Sequence, residues 1–270
     1  MFRADHLFLS KLEGSLDDTL RLLDLPEEIA FWYRYSLSGG KKVRPLCMSW
    51  VFERLTGQSA ASNENCFKAS WALEMIHAYS LIHDDLPAMD DDDFRRGRAT
   101  VHRLTGEAEA ILVGDALLTS AFELISHTQP LVELVRELAF AAGARGMVYG
   151  QWKDMREDFS SLETVETIHR LKTGALFGAS ASMAGLLARR YRSLSVDELN
   201  RLREWGVELG VLFQWVDDLL DDEIPTFFKS RDELRAHCER KVAQLKDLQS
   251  GLWSSEETEQ LFHDFLERKI

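Results

Sequence analysis

Tyr79-Ser80-Leu81-Ile82-His83-Asp84-Asp85-Leu86-Pro87-Ala88-Met89-Asp90 is a largely apolar run that ends in clustered carboxylates. The design recurs further along the chain, where Val211-Leu212-Phe213-Gln214-Trp215-Val216 leads into Asp217-Asp218-Leu219-Leu220-Asp221. Two helices ending in carboxylate clusters predict two metal-binding walls facing one cavity. Mg²⁺ suits such oxygen donors, because it takes one or two protein carboxylates and completes its shell with substrate phosphates. A diphosphate is the expected third party. A lone acidic run more often marks a solvated helix end, and it is the repetition that argues for a site.

Helical geometry supports the pairing. At 3.6 residues per turn, Asp217, Asp218 and Asp221 fall within an arc of roughly 100° and share one side of a helix. In a regular helix Asp90 would point about 120° away from Asp84. Pro87 removes a hydrogen bond and bends the chain, so the two extra residues of the first cluster bulge out and Asp90 swings back.

Working outward, the rest of the chain reads as helix. Trp71, Glu74, His77, Leu81 and Asp84 follow one another at three- and four-residue intervals, as do Val165, Ile168, Lys172, Ala175, Leu176, Ala179 and Met183. Strand signals are scarce, and only five prolines and no Gly/Ser-rich linker interrupt the 270 residues. The expectation is an all-α fold over residues 1–270, one helical bundle with its site in a central cavity between facing helices.

The net charge of −13 argues against a nucleic-acid binder, which needs a basic surface. The longest uncharged run, residues 173–188, is too short to span a bilayer, and its Gly and Ser content suits close helix packing. The N-terminus lacks the apolar core of a signal peptide. Three cysteines, Cys47, Cys66 and Cys238, match no metal spacing, which fits a reduced, cytoplasmic setting.

Basic groups complete an anion site. Ser38-Gly39-Gly40-Lys41-Lys42-Val43-Arg44-Pro45 gathers three cations and two glycines, either a solvated turn or a diphosphate cradle. Arg95 and Arg96 follow the first acidic cluster, placed to neutralise Asp90 to Asp93 or to grip substrate phosphates. Lys172 lies on an apolar stripe, where its charge requires a partner; it points to an anion inside the bundle or snorkels outward. Thr173 and Gln214 add hydroxyl and carbonyl dipoles, and Gln214 sits one turn before Asp217 and Asp218.

Together these stretches resemble the trans-isoprenyl diphosphate synthases, the family of farnesyl and geranylgeranyl diphosphate synthases. The resemblance runs from Gly39-Gly40-Lys41-Lys42-Val43-Arg44-Pro45 through Glu74 to Asp85, Arg95-Arg96-Gly97 and Gly114-Asp115. It continues through Gly146 to Asp154, Lys172-Thr173-Gly174 and Phe213 to Asp221. It implies the isoprenoid synthase helical bundle, commonly a homodimer. The implied activity is condensation of isopentenyl diphosphate with dimethylallyl or geranyl diphosphate to a short product, farnesyl diphosphate by preference. By the same resemblance Asp84, Asp85, Asp90, Asp217, Asp218 and Asp221 hold Mg²⁺, three ions with substrate bound. Lys41, Arg44, His77 and Arg96 receive isopentenyl diphosphate, while Arg95, Lys172, Thr173 and Gln214 surround the allylic substrate. Tyr79 and Ser80, about 6 to 7.5 Å down the helix from Asp84, are the expected floor that limits chain length. Tyr79 also reads as a plain core tyrosine.

The resemblance breaks after Asp221. The family usually carries a long lysine-bearing lid there, whereas Asp222-Glu223-Ile224-Pro225-Thr226-Phe227-Phe228 follows at once. Lys42 stands where the family has arginine, which sacrifices bidentate geometry. Lys229, Arg231 or a partner subunit are candidates to replace the lid cations. A second reading is a weakened or regulatory homologue. A third, from another class, is a di-iron carboxylate bundle built on Glu74-x-x-His77 and Glu166-x-x-His169. Both histidines also read as hydrogen-bonded core residues. A class I terpene cyclase would carry one aspartate-rich motif rather than two.

Overall fold

The computed structural model describes residues 6–156, 159, 161–221 and 224–253. The first four helices are α1 (His6–Gly14), α2 (Leu16–Leu22), α3 (Glu27–Leu37) and α4 (Val43–Thr56). They precede the long α5 (Glu64–Asp84) and a small hairpin, β1 (Phe94–Arg95) with β2 (Arg98–Ala99). α6 (Val101–Thr105), α7 (Glu107–Ser126), α8 (Leu131–Ala142), α9 (Met147–Asp154) and α10 (Leu162–His169) follow. A π turn (Arg170–Gly174) leads into α11 (Ala175–Ala188), α12 (Val196–Asp221) and α13 (Arg231–Gln249). The all-α expectation holds, with the two-residue hairpin as its only sheet among the described residues.

α11 is the axis of the bundle. Every residue from Leu176 to Ala188 is buried, which an uncharged stretch tolerates and a charged one would not. Small residues let its neighbours come close. A Cβ on Gly210 of α12 would stand 2.7 Å from Gly174 Cα, and one on Gly206 would stand 2.5 Å from the Phe177 carbonyl. α12 is therefore seated backbone to backbone on the π turn and α11, which fixes the position of Asp217 relative to Lys172 and Thr173.

α5 starts at a side-chain cap, where Asn63 Oδ1 accepts from the Asn65 and Cys66 amides at 3.0 and 3.3 Å. Its other end differs from the expected bent helix. The helix stops at Asp84, and residues 85–92 form a turn in which the Asp90 amide donates to the Asp84 carbonyl at 2.8 Å. The Asp92 amide donates to the Asp85 carbonyl at 3.2 Å. Pro87, which has no amide to give, sits exposed at the outer edge of this turn. Asp90 is brought back beside Asp84 as expected, by a turn rather than by a kink.

Two short devices place the arginines and Lys172. In the hairpin, Phe94 pairs with Ala99 and Arg95 with Arg98, and the two linking residues, Arg96 and Gly97, have φ of 52° and 72°. Positive φ at both positions is the type I′ turn that two-residue hairpins require. The π turn, placed between α10 and α11, is a feature common at functional sites. The periodic stripe from Val165 to Met183 carries no signal for it. Among the described residues, no helix is long and apolar enough to cross a membrane. The single-unit expectation over residues 1–270 extends to residues 1–5 and 254–270, which lie outside the described residues.

Candidate active site

One cavity of about 1090 Å³ opens between α4, α5, α9, the π turn and α12. Twelve of the residues singled out by sequence contribute to its wall: Lys41, Arg44, His77, Tyr79, Ser80, Asp84, Arg95, Arg96, Lys172, Thr173, Gln214 and Asp217. One aspartate of each acidic cluster thus faces the same hollow. Asp85, Asp90, Asp218 and Asp221 stand outside the wall itself.

The first acidic wall is electrostatically loaded. Burial pushes the Asp84 carboxyl up to about 6; Asp90 and Asp85 add to the rise, and Lys172 and Arg95 oppose it. Asp85 is also raised, chiefly by burial, but Arg95 Nε donates to its Oδ1 at 2.6 Å. Arg95 reaches Asp92 Oδ2 at 3.2 Å as well. Of the two readings for Arg95, neutralising the aspartates is the arrangement seen here.

The second wall is joined to the π turn by a short polar relay. Thr173 Oγ1 donates to Gln214 Oε1 at 3.4 Å, and Gln214 Nε2 donates to Asp218 Oδ1 at 3.3 Å. The Lys172 ammonium finds its anion inside the bundle, an ion pair with Asp154 of α9. A Cβ on Gly150 would overlap the Lys172 backbone, so α9 presses directly on the π turn. Asp154 was not among the expected site residues. The demand of Lys172 for a partner, together with the polar Gly150-Gln151-Trp152-Lys153-Asp154 stretch, was the signal that could have found it.

The opposite side is cationic. Arg44 lies over the Phe177 ring, 5.3 Å from its centroid, and burial pulls its guanidinium down to about 10. Its Nε is buried with no hydrogen-bond partner among the described residues, a donor that calls for an anion. Arg96 crosses the glycine turn so closely that a Cβ on Gly40 would stand 2.5 Å from its Nη1. His77 is held well below the usual histidine range by burial and by Arg44, Arg96, Lys42 and Arg95, and so is neutral at pH 7.

Two expectations are corrected. Lys42, with φ of 50°, buries its ammonium 3.1 Å from Glu74 Oε2. It also donates to the Leu37 and Gly39 carbonyls at 2.6 and 2.7 Å. It braces the glycine turn instead of joining the cradle, and this explains why a lysine serves there. The di-iron reading fails because its carboxylates are otherwise engaged. Glu74 pairs with Lys42, and Glu166 pairs with Lys241 at 2.5 Å and lies 3.4 Å from His237. His169 packs edge-on to Trp215, its ring centroid 4.5 Å away.

The donor chemistry suits Mg²⁺. Both walls offer carboxylate oxygens, and among the described residues no three acidic, histidine or cysteine side chains close on one point. Such an open set fits a cation that needs substrate phosphates to complete its shell and not one caged by protein. The raised Asp84 carboxyl is a site where a divalent cation relieves the crowding of like charges.

Comparison with known proteins agrees with this geometry. The polyprenyl synthetase family profile matches residues 26–224. The farnesyl diphosphate synthase of Micrococcus luteus is 45% identical over 196 residues, which span 70% of this chain and 65% of that protein. The farnesyl diphosphate synthase of Bacillus subtilis is 41% identical over 222 residues, 78% of this chain and 72% of that protein. The apo crystal structure of an FPP/GFPP synthase from Zymomonas mobilis superposes with a TM-score of 0.80 at 32% identity, covering 98% of this chain and 97% of that one. From the paired aspartate walls to the glycine turn, the chain belongs to the polyprenyl synthetase family.

Proposed function

We propose that this protein is a short-chain trans-prenyltransferase. It condenses isopentenyl diphosphate with dimethylallyl or geranyl diphosphate, with farnesyl diphosphate as the favoured product. The observation that carries this reading is the meeting of Asp84 and Asp217 in one cavity that also receives Arg44, His77, Arg96 and Lys172. Similarity to the farnesyl diphosphate synthases of two bacteria supports the product preference.

Asp84 and Asp217 would hold Mg²⁺, with Asp85, Asp90, Asp218 and Asp221 around them; the ions, three in the proposed arrangement, would supply charge neutralisation for the leaving diphosphate. Lys172 adds its own positive charge to the leaving diphosphate, and Arg95 keeps Asp85 and Asp92 in place beside it. As the allylic carbon–oxygen bond breaks, the diphosphate departs with the electron pair and leaves a carbocation. The Thr173 hydroxyl and Gln214 carbonyl stabilise that cation, while the apolar walls around Phe177 and Phe213 keep water from it. Lys41, Arg44 and Arg96 hold the second diphosphate, and neutral His77 offers it a hydrogen bond without a charge to compensate. The isopentenyl double bond then attacks the cation, forming the carbon–carbon bond. A proton leaves the adjacent carbon for the released diphosphate.

Tyr79 forms the floor. Its ring stands edge-on to His83, 5.7 Å between centroids, and burial pushes its hydroxyl up to about 12. His83 is in turn seated on α7, its Nε2 3.1 Å from the Ile111 carbonyl, in space that a side chain at Gly114 would occupy.

The chain is proposed to act as a homodimer. Ile111 and Leu112 on α7 are exposed and apolar, the composition of an interface. A cytoplasmic setting agrees with three buried, unbridged cysteines. Purified protein given Mg²⁺, isopentenyl diphosphate and geranyl diphosphate should yield farnesyl diphosphate by mass spectrometry. A folded protein that releases no prenyl product would overturn the assignment.

A further inference from the structure

A charged network lies behind the cavity wall, apart from any group that faces it. Glu208 of α12, its side chain 1% exposed, is paired with Arg170 of the π turn and lies 3.2 Å from Lys241 of α13. Lys241 also stands 2.5 Å from Glu166 of α10, and Arg170 reaches Glu204 at 2.6 Å. Three carboxylates and two cations thus tie α10, the π turn, α12 and α13 together. Leaving a buried carboxylate without a partner is strongly destabilising, and Glu208 has both Arg170 and Lys241 as cationic partners. Arg170 opens the five-residue turn that presents Lys172 and Thr173 to the cavity.

The same helix braces the second acidic wall. Trp215, next to Gln214, is enclosed by His237 of α13 at 5.4 Å and by Phe228 at 5.7 Å between ring centroids. Phe228 and α13 therefore pack on α12 beside Gln214.

We propose that Lys241 is a positioning residue: through Glu208 it holds Arg170 and through Glu166 it ties α10 to α13, and so it keeps Lys172 and Thr173 of the π turn in register with Gln214 and Asp217. The inference rests on the prenyltransferase reading for its kinetic consequence, but its structural consequence is independent of any reaction. Small displacements of positioning groups cost up to about a hundredfold in rate.

The test compares Lys241→Met, Lys241→Arg and, as a control on the same helix, Arg235→Met, whose pairing with Glu239 is exposed. Lys241→Met should lower kcat about tenfold to a hundredfold while leaving the KM for isopentenyl diphosphate within about twofold, since Lys41, Arg44 and Arg96 lie on the other wall. Lys241→Arg should restore most of kcat, and Arg235→Met should behave as wild type. Hydrogen exchange of the 170–174 amides should quicken in Lys241→Met before global unfolding does. Should Lys241→Met fail to fold, Lys241→Met/Glu166→Gln removes one charge of each sign and is read in the same way. Unchanged exchange at 170–174 in a folded variant overturns the inference even if no turnover is found in any form. A fall in rate that tracks only the unfolded fraction, or an equal rise in KM for both substrates, overturns it too.

Discussion

Replacing Tyr79 with alanine tests the floor of the cavity. The tyrosine is 6% exposed and lines the cavity about 7.5 Å down α5 from Asp84. One helical turn beneath Tyr79 lie Met75 and Ile76, both fully buried. Losing the ring deepens the cavity by up to one turn, about 5.4 Å, close to the reach of one more five-carbon unit. The stability cost should be about 3 kcal/mol, at the low end for an aromatic-to-alanine change, because part of the ring already faces the hollow. That loss leaves a folded protein if total stability lies in the usual range of roughly 5–15 kcal/mol. With geranyl diphosphate and excess isopentenyl diphosphate, mass spectrometry should show the main product moving from fifteen to twenty carbons. A folded variant, checked by circular dichroism, that still stops at fifteen carbons would refute Tyr79 as the floor.

Asp217→Asn should lower kcat by about a hundredfold or more with the thermal midpoint little changed, and chelating Mg²⁺ should abolish turnover in the wild type; a variant as fast as wild type would remove Asp217 from the site. Lys42→Met leaves Glu74 buried without its cation and should cost about 3–5 kcal/mol in denaturant unfolding; a loss under about 1 kcal/mol would show that the pair does not brace the glycine turn. Glu166 supplies a pH dependence. His237 and Lys241 hold its carboxyl at about 2, below the ordinary glutamate value of 4.5. A depressed carboxylate stabilises the fold above the unfolded value and loses that contribution as pH falls. The loss should therefore run from about pH 4.5 down to about 2; after solvent screening it should amount to roughly 1–2 kcal/mol. It should be absent in Glu166→Gln, and an identical acid profile in that variant would contradict it.

Much of the site was legible because its chemistry is carried by types of residue that stand out against a helical background. One aspartate of each helix-end pair, a lysine on an apolar stripe and a glutamine one turn before the second pair all reach the cavity. Periodicity could not reveal the π turn, since one widened turn leaves the flanking apolar spacing intact. Nor could it separate Lys41 from Lys42. Adjacent lysines look alike in sequence, and only the left-handed backbone at Lys42 and the buried Glu74, which follows Trp71-Ala72-Leu73, send one of them inward. Asp154 was missed because its meaning depends on α9 pressing against the π turn, a contact between segments with no shared pattern. The shortened segment after Asp221 was recognised as a departure; Asp222 and Glu223 lie outside the described residues, while Phe227 and Phe228 pack on Trp215.

The most direct test of the central claim is a crystal structure with Mg²⁺ and a non-ionisable geranyl diphosphate analogue. The diphosphate should lie between Asp84 and Asp217, joined to both through metal ions, with Lys172 on its oxygens and the hydrocarbon tail running toward Tyr79. A diphosphate bound elsewhere, or metal ions on only one of the two acidic walls, would contradict it.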